Sequence, residues 1–599
     1  MEVQFSAMDS LPGMFLQQAQ RLGARPFIGE RRDGAWQMLS WEVTARRVLA
    51  LAGGLRALGL ETGDRVVLVA ENRPEWAIAD LAIMAAGGIS VPAYTTNTQA
   101  DHLHILDNSG ASLVIVSTRA LAEKILGAAL RSDKAPAIIA LEAPVLAQSA
   151  ACALHSWAEV MALGQGREDD ILGIVARLKR GHTACLIYTS GTGGVPKGVM
   201  LSHGAILHNC MGAADVVREL GLTANEVFLS FLPLSHAYEH TAGLHFPISI
   251  GAEIRYAEGI EQLAANMAEC RPTIMTAVPR LYETMRARIL KGLGRVSPPR
   301  RRLFMAALDL GKRRLRGERL SLLERLADRV LDRLVRDKVR ARFGGRLKAF
   351  VSGGAPLSPE VGTFFLALGV RILQGYGQTE AAPVIAVNRP GNNRVDTVGP
   401  PLRGVDLRLA TDGEILVRGE LVMQGYWGDS QATAQVLDAD GWLHTGDIGQ
   451  IDPDGCLRIT DRKKDIIVNS GGDNVAPQRI EGFLTLEPEI AQAMVHGDRR
   501  PHLVALIVPD PDWAKAWSLR NNKAALITDE DFRREIVQVV DRINRQLSAI
   551  ERVRRFILAD EPFSIENGML TPSLKIRRHK ILERYRPALD GLYEDKTYG

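Results

Sequence analysis

Tyr188-Thr189-Ser190-Gly191-Thr192-Gly193-Gly194-Val195-Pro196-Lys197-Gly198 runs from a β-favouring residue straight into hydroxyls and glycines. The residues before it, Ala184-Cys185-Leu186-Ile187, are apolar. The segment therefore reads as a buried strand that ends in an exposed loop. Glycine lets a backbone approach an anion closely, and the N–H groups and hydroxyls then become donors for phosphate oxygens. Lys197 brings a positive charge to the same anion. Pro196 before the lysine and Gly198 after it separate this loop from the Gly-Lys-Ser/Thr phosphate loop. A plain glycine-rich surface turn is the competing reading.

Outward from this loop, short apolar runs alternate with longer helical patterns. Arg65–Val69, Leu113–Val116, Ala137–Ala140 and Ala184–Tyr188 read as buried strands, and so do Val227–Leu229, Thr273–Met275 and Ala349–Val351. Thr44–Leu58 and Ala77–Ala86 read as helices between them. Such alternation predicts an α/β fold with largely parallel sheet. From about Val398 the pattern shifts to short strands, Gly413–Gly419 and Leu457–Thr460, separated by Asp-Gly and Pro-Asp-Gly turns. A smaller α+β unit follows Lys464, with strands at Ala493–Val495 and Leu503–Val508. The expected division is residues 1–463 and 464–599, with a β-rich part over about 398–463.

At 599 residues the chain exceeds one core. Its 46% hydrophobic and 24% charged residues are those of an ordinary water-soluble globular protein. Cys152, Cys185, Cys210, Cys270 and Cys456 are scattered, without metal spacing, which argues for a reducing compartment. The N-terminus shows no secretory pattern, and the apolar stretch Ala77–Tyr94 is interrupted by Asp80, Gly87, Gly88 and Pro92. A cytoplasmic protein is expected. The net charge of +4 hides an asymmetry: residues 286–348 hold 21 basic and 6 acidic residues, so the remainder is acidic. Within this basic helical insertion, Leu323, Leu326, Val330, Leu334 and Val335 recur at helical spacing. Two readings compete: a helix packed on the domain with a solvated basic face, or peripheral contact with an anionic membrane, such as its inner face. Aromatic interleaving is missing, so no nucleic acid is expected.

Four further segments accompany the loop: Ser352-Gly353-Gly354-Ala355-Pro356, Gly375-Tyr376-Gly377-Gln378-Thr379-Glu380, His444-Thr445-Gly446-Asp447, and Asp461-Arg462-Lys463-Lys464-Asp465. A basic run around Lys575 completes the set. In this order and at these separations, the chain resembles the AMP-forming adenylate-forming ligases, the superfamily of acyl-CoA synthetases, luciferases and peptide-synthetase adenylation domains. The resemblance extends from about Trp41 to Tyr585. It implies a large N-terminal domain of layered sheets and helices with a distorted β-barrel, and a small mobile C-terminal domain. One departure is Gly193, where the family usually has a second threonine; one hydroxyl donor is lost and the backbone N–H is kept.

The chemistry such a site must perform assigns roles to residues. A carboxylic acid becomes an acylating agent once AMP is its leaving group, so the site must neutralise a triphosphate and stabilise charge at the α-phosphorus. Thr189, Ser190, Gly191, Thr192, Gly193, Gly194 and Lys197 are expected to hold the β- and γ-phosphates. Glu380, with Thr189, suits Mg²⁺, because a hard cation prefers oxygen. Thr379 can donate to the α-phosphate. Gly353, Gly354, Ala355, Gly375, Gly377 and Gln378 border the nucleotide, where small side chains leave room for adenine and Tyr376 can stack. Asp447 can accept the ribose hydroxyls, reinforced by Arg462.

By the resemblance, Lys575 would reach the α-phosphate and carboxylate in one domain pose only, with Arg577 and Arg578 as alternatives. Lys464 falls on the hinge, and Gly471 and Gly472 match the loop lining the CoA tunnel. His236, in Leu232-Pro233-Leu234-Ser235-His236, would sit at the acyl entrance, or be merely structural. The Leu-Thr-Pro-Ser-Leu-Lys tail is similar to that of long-chain fatty acyl-CoA synthetases. The expected reaction converts a medium- to long-chain fatty acid, ATP and CoA into acyl-CoA, AMP and pyrophosphate. A CoA ligase for an aryl or other carboxylic acid, and a catalytically silent membrane-associated binding protein, are the alternatives. A homodimer is left open.

Overall fold

The computed structural model describes residues 5–143, 152–189, 195–223, 225–471, 473–523, 526–571 and 576–594. Two eight-stranded sheets form its frame. The first runs in the order Gly425–Tyr426, Lys197–Ser202, Thr183–Thr189, Ile89–Pro92, Arg65–Val69, Leu113–Val116, Ala137–Ala140 and Leu154–Ser156. From Thr183–Thr189 to Leu154–Ser156 its neighbours are parallel. The second is ordered Val384–Val387, Ile372–Gly377, Ala349–Ser352, Ile274–Ala277, Val227–Ser230, Glu253–Tyr256, Pro26–Arg32 and Ala35–Ser40.

Helices fill the space between and outside the sheets. Pro74–Ala85 has every residue except Glu75 buried, because it packs against strands of both sheets. Its all-round apolar character is that of a helix between layers. The last two strands of the second sheet form a hairpin through Asp33 and Gly34, both at positive φ (51° and 78°). An Asp-Gly pair is the favoured chemistry for such a two-residue turn.

The β-rich part is a four-stranded antiparallel sheet of Asp406–Leu409, Glu414–Arg418, Leu443–Ile451 and Leu457–Arg462. Two register irregularities, at Glu414/Leu416 and Ile448/Gly449, bend it. Beyond residue 464, Ile490–His496, Leu503–Pro509 and Val553–Leu558 form a three-stranded sheet. Helices Pro477–Leu484 and Glu530–Asn544 cover it, with Ile480, Phe532 and Ile536 in a core of their own.

The basic segment folds into helices Pro279–Leu293, Pro298–Leu315, Leu322–Leu331 and Asp337–Arg342. Helix Leu322–Leu331 packs on its neighbours and keeps its arginines in solvent, but the face it packs with is not the leucine stripe. Leu323, Leu326, Val330 and Leu334 face outward at 81%, 60%, 49% and 47% exposure, and only Val335 of the predicted stripe is buried. A polar anchor decides the orientation. Arg336 is wholly buried, donating to Asp328 Oδ1 at 2.6 Å, to the Ala307 carbonyl at 2.7 Å and to the Ala367 carbonyl at 2.9 Å. Once that guanidinium is buried, Asp328 must face it, because an unpaired buried charge is far costlier than an exposed leucine.

Candidate active site

The two ends of the phosphate-type loop meet as cross-strand partners: Thr189 lies opposite Lys197 in the hairpin of the first sheet. Ser190, Gly191, Thr192, Gly193 and Gly194 lie outside the described residues. Both flanking residues line a cavity of about 730 Å³. The same cavity is lined by His236, Gly353, Gly354, Gly375, Tyr376, Gly377, Gln378, Thr379, Glu380, Asp447, Arg462 and Lys464. Segments far apart in sequence thus line one cavity. Ala355 is exposed and is not among the lining residues, nor is Gly471, whose N–H donates to Asn469 Oδ1 at 2.9 Å in an exposed turn. Gly472 and Lys575 lie outside the described residues. Thr571, four positions before Lys575, is buried and lines the cavity.

Asp447 is 6% exposed and sits opposite Arg462 in the antiparallel register. Arg462 Nε lies 3.5 Å from Asp447 Oδ1, and the Tyr376 hydroxyl donates to Oδ2 at 2.7 Å. Burial, reinforced by the Asp447 charge, pushes the Tyr376 phenol well above its ordinary range, so it remains a donor. The turn carrying Asp447 is held by Glu414, which accepts from the Gly446 N–H at 2.9 Å and pairs with Lys463 at 3.0 Å. Gly446 has φ +70°, a conformation that favours glycine.

Glu380 sits in the short turn Thr379–Ala381, and the Tyr426 hydroxyl donates to its Oε1 at 2.9 Å. Tyr426 arrives because Gly425–Tyr426 pairs with Lys197–Ser202, which also puts Lys197 Nζ 5.1 Å from the Tyr426 ring. Lys197, Tyr426 and Glu380 therefore form one cluster. A side chain at Gly377 would put its Cβ 1.8 Å from the Pro383 carbonyl oxygen, so only glycine fits there. Glu380, Thr379 and Thr189 present carboxylate and hydroxyl oxygens, the donor set a hard divalent cation takes.

His236 Nδ1 accepts from the Tyr238 N–H at 3.1 Å, so the neutral ring carries its proton on Nε2. Burial, aided by the Arg462 charge, pulls the Lys464 ammonium below its usual range. Beside it, burial raises Asp461 to about 6. Of the cations near Lys575, Arg578 is committed elsewhere: it pairs with Glu481 at 2.6 Å and donates to the Val495 carbonyl.

The remaining wall is apolar and was not foreseen from sequence. Ala213, Val216 and Val217 of helix His203–Arg218 line it together with Phe228, Ile274, Val384, Val387 and Leu402. Val216, Val387 and Leu402 also pack into one cluster. These positions come from several strands, a helix and a loop, and no local motif joins them. Tyr426 and Glu414 were likewise missed. A separate buried group, Asp80, His240 and His245, has ligand-type atoms within 4.8 Å of one another. Asp80 there accepts from the Ser90 hydroxyl at 2.6 Å and lies 3.0 Å from His240 Nε2 and 3.4 Å from His245 Nε2, a buried polar network joining helices.

Comparisons with known proteins agree across the chain. Residues 15–427 match the AMP-binding enzyme family and residues 464–597 its C-terminal domain. Long-chain-fatty-acid--CoA ligase FadD15 of Mycobacterium bovis is 36% identical over 572 residues, spanning 94% of this chain and 93% of that protein. Long chain acyl-CoA synthetase 6, peroxisomal, of Arabidopsis thaliana is 32% identical, spanning 96% of this chain and 84% of that protein. Among solved structures, the adenylation domain of a carboxylate reductase from Mycobacterium chelonae superposes with a TM-score of 0.75 at 24% identity. It covers 98% of this chain and 91% of that one.

Proposed function

The chain belongs to the AMP-binding enzyme family, and from that premise we propose that it is an AMP-forming ligase that activates medium- to long-chain fatty acids with ATP and passes them to CoA. The observation that carries this reading is the two-part cavity. One wall gathers Thr189, Lys197, Glu380, Asp447 and Arg462; the other is lined by Val216, Phe228, Ile274, Val387 and Leu402.

In the first half-reaction the substrate carboxylate attacks the α-phosphorus of ATP and pyrophosphate leaves. Lys197 and the loop after Thr189 hold the β- and γ-phosphates, where a preorganised cation needs no reorganisation during the reaction. Thr379 donates to the α-phosphate. Mg²⁺ held by Glu380 and Thr189 would neutralise phosphate charge. Asp447 accepts from the ribose hydroxyls while Tyr376 and Arg462 hold its carboxylate in place. Lys575 carries a point charge to the developing pentavalent centre. His236 orients the carboxylate. In the second half-reaction the CoA thiolate attacks the acyl carbonyl and AMP leaves. For this the unit after Lys464 swings about that residue, withdrawing Lys575 and bringing Gly471 and Gly472 to the thioester arm.

The test is a panel of saturated fatty acids and aryl acids, scored for pyrophosphate and AMP with and without CoA. Pyrophosphate release without CoA, acyl-CoA formation with it, and a preference for long chains are expected. Release of ADP, or a preference for aryl acids, would overturn the reading.

A further inference from the structure

Helix Leu322–Leu331 is mounted inside out. Its inner side carries Asp328, Leu331 and, in the turn that follows, Val335 and Arg336. Its outer side carries Leu322 and Leu323, more than 80% exposed, followed by Leu326, Val330 and Leu334. Spacings of three and four residues place these five on one face, so they form a continuous apolar stripe in water. Stripes of this size on a surface mark a place where something else docks.

The charges around the stripe say what docks. Every acidic residue of this helix and the turn after it is consumed by an ion pair. Glu324 pairs with Arg313 at 2.6 Å, Asp328 with Arg336 at 2.6 Å and Arg314 at 3.1 Å, and Asp332 with Arg340 at 2.8 Å. Arg325, Arg329 and Arg333 recur every fourth residue as an exposed row beside the leucines. Apolar side chains flanked by exposed arginine are the composition of a helix that lies in the plane of an anionic bilayer. A second copy meeting this face through a twofold axis would set arginine row against arginine row within a segment of 21 basic and 6 acidic residues.

We propose that helix Leu322–Leu331, extended to Leu334, is a lipid-docking element that inserts Leu322, Leu323, Leu326, Val330 and Leu334 among the acyl chains of an anionic bilayer while Arg325, Arg329 and Arg333 meet its headgroups. Docking stands on this helix alone. Only its use, drawing a membrane-dissolved acid toward the cavity, rests on the ligase reading.

Flotation with phosphatidylcholine vesicles, with and without phosphatidylglycerol, tests docking without any turnover. Wild-type protein is expected to float with the anionic vesicles at low salt, less at high salt, and little with neutral ones. Replacing Leu323, Leu326 and Val330 together by serine should lower the bound fraction about tenfold or more. Replacing Arg325, Arg329 and Arg333 together by glutamine should lower anionic-vesicle partitioning about a hundredfold, at about fivefold per arginine. Since these positions are exposed, both variants should keep wild-type circular dichroism and activity on a short soluble acid. The proposal falls if wild-type protein stays with the unbound fraction at low salt, or if either variant floats as well as wild type. It also falls if the stripe instead joins two copies, seen as a dimer that the serine variant dissolves without any vesicle binding.

Discussion

Ala213→Phe probes whether the apolar wall holds the acyl chain. Ala213 lies on helix His203–Arg218 and lines the cavity together with Phe228 and Ile274. Its neighbour Gly212 is packed closely on Leu402, where a Cβ would lie only 2.8 Å from a leucine carbon, so this turn of the helix is held tight against the apolar lining. A phenyl group at position 213 must therefore project into the cavity and displace about three methylenes of a bound chain, at ~0.8 kcal/mol each. Long-chain kcat/KM should fall about fiftyfold. An acid too short to reach the ring should lose little, and so should the KM for ATP. The assay is pyrophosphate release across a homologous series of saturated acids, with thermal melting to check that overpacking has cost no more than about 3 kcal/mol. An equal loss at every chain length, or an unchanged profile, would show that the acyl chain lies elsewhere.

Removing the Tyr426 hydroxyl (Tyr426→Phe) takes a 2.9 Å donor from Glu380 and should lower kcat/KM for adenylate formation by about tenfold to a hundredfold, since a hydrogen bond to a charged group is worth ~1.5–3 kcal/mol. Unchanged steady-state kinetics would remove Tyr426 from the site. Lys575→Ala should cripple adenylate formation while sparing thioester formation from a supplied acyl adenylate; equal loss in both half-reactions refutes its one-pose role. Burial raises Glu239 to about 7, despite its hydrogen bonds from Ser230 and Thr276. Its folded-state value is thus above the unfolded one, so its contribution is fully present below about pH 4.5 and is lost as pH rises through about 7. Glu239→Gln should flatten that part of the melting profile, and parallel profiles for the two proteins would refute the assignment. Burial pushes Asp80 up, but His240 and His245 more than offset it and keep the carboxylate ionised. Asp80→Asn should therefore cost about 3–5 kcal/mol in chemical denaturation. A loss below 1 kcal/mol, on the order of one ordinary hydrogen bond, would mean the pair is neutral.

Much of the frame was legible because it is written locally. The apolar runs at Arg65–Val69, Leu113–Val116 and Ala137–Ala140 became adjacent parallel strands, since a run of β-favouring residues buried on both faces needs no distant information. The hairpin at Asp33-Gly34 was equally legible in its turn residues and was overlooked beside the stronger α/β alternation. Motif residues were readable for a related reason: Gly377, Gly446 and Asp447 each answer a constraint of backbone or charge within a few residues of themselves.

Tertiary structure alone decided the rest. Tyr426 reaches Glu380 only because a two-residue strand pairs with the far side of the phosphate loop's hairpin, and no spacing rule predicts that pairing. The apolar wall is assembled from residues between Ala213 and Leu402, whose hydrophobicity in sequence is that of any core position. The basic helix shows the limit most plainly. Its sequence determined that Leu323, Leu326, Val330 and Leu334 share a face, because the period of the helix fixes that. Whether the face turned inward was settled by Arg336, whose buried charge required Asp328 on the inner side and left the leucines to the solvent.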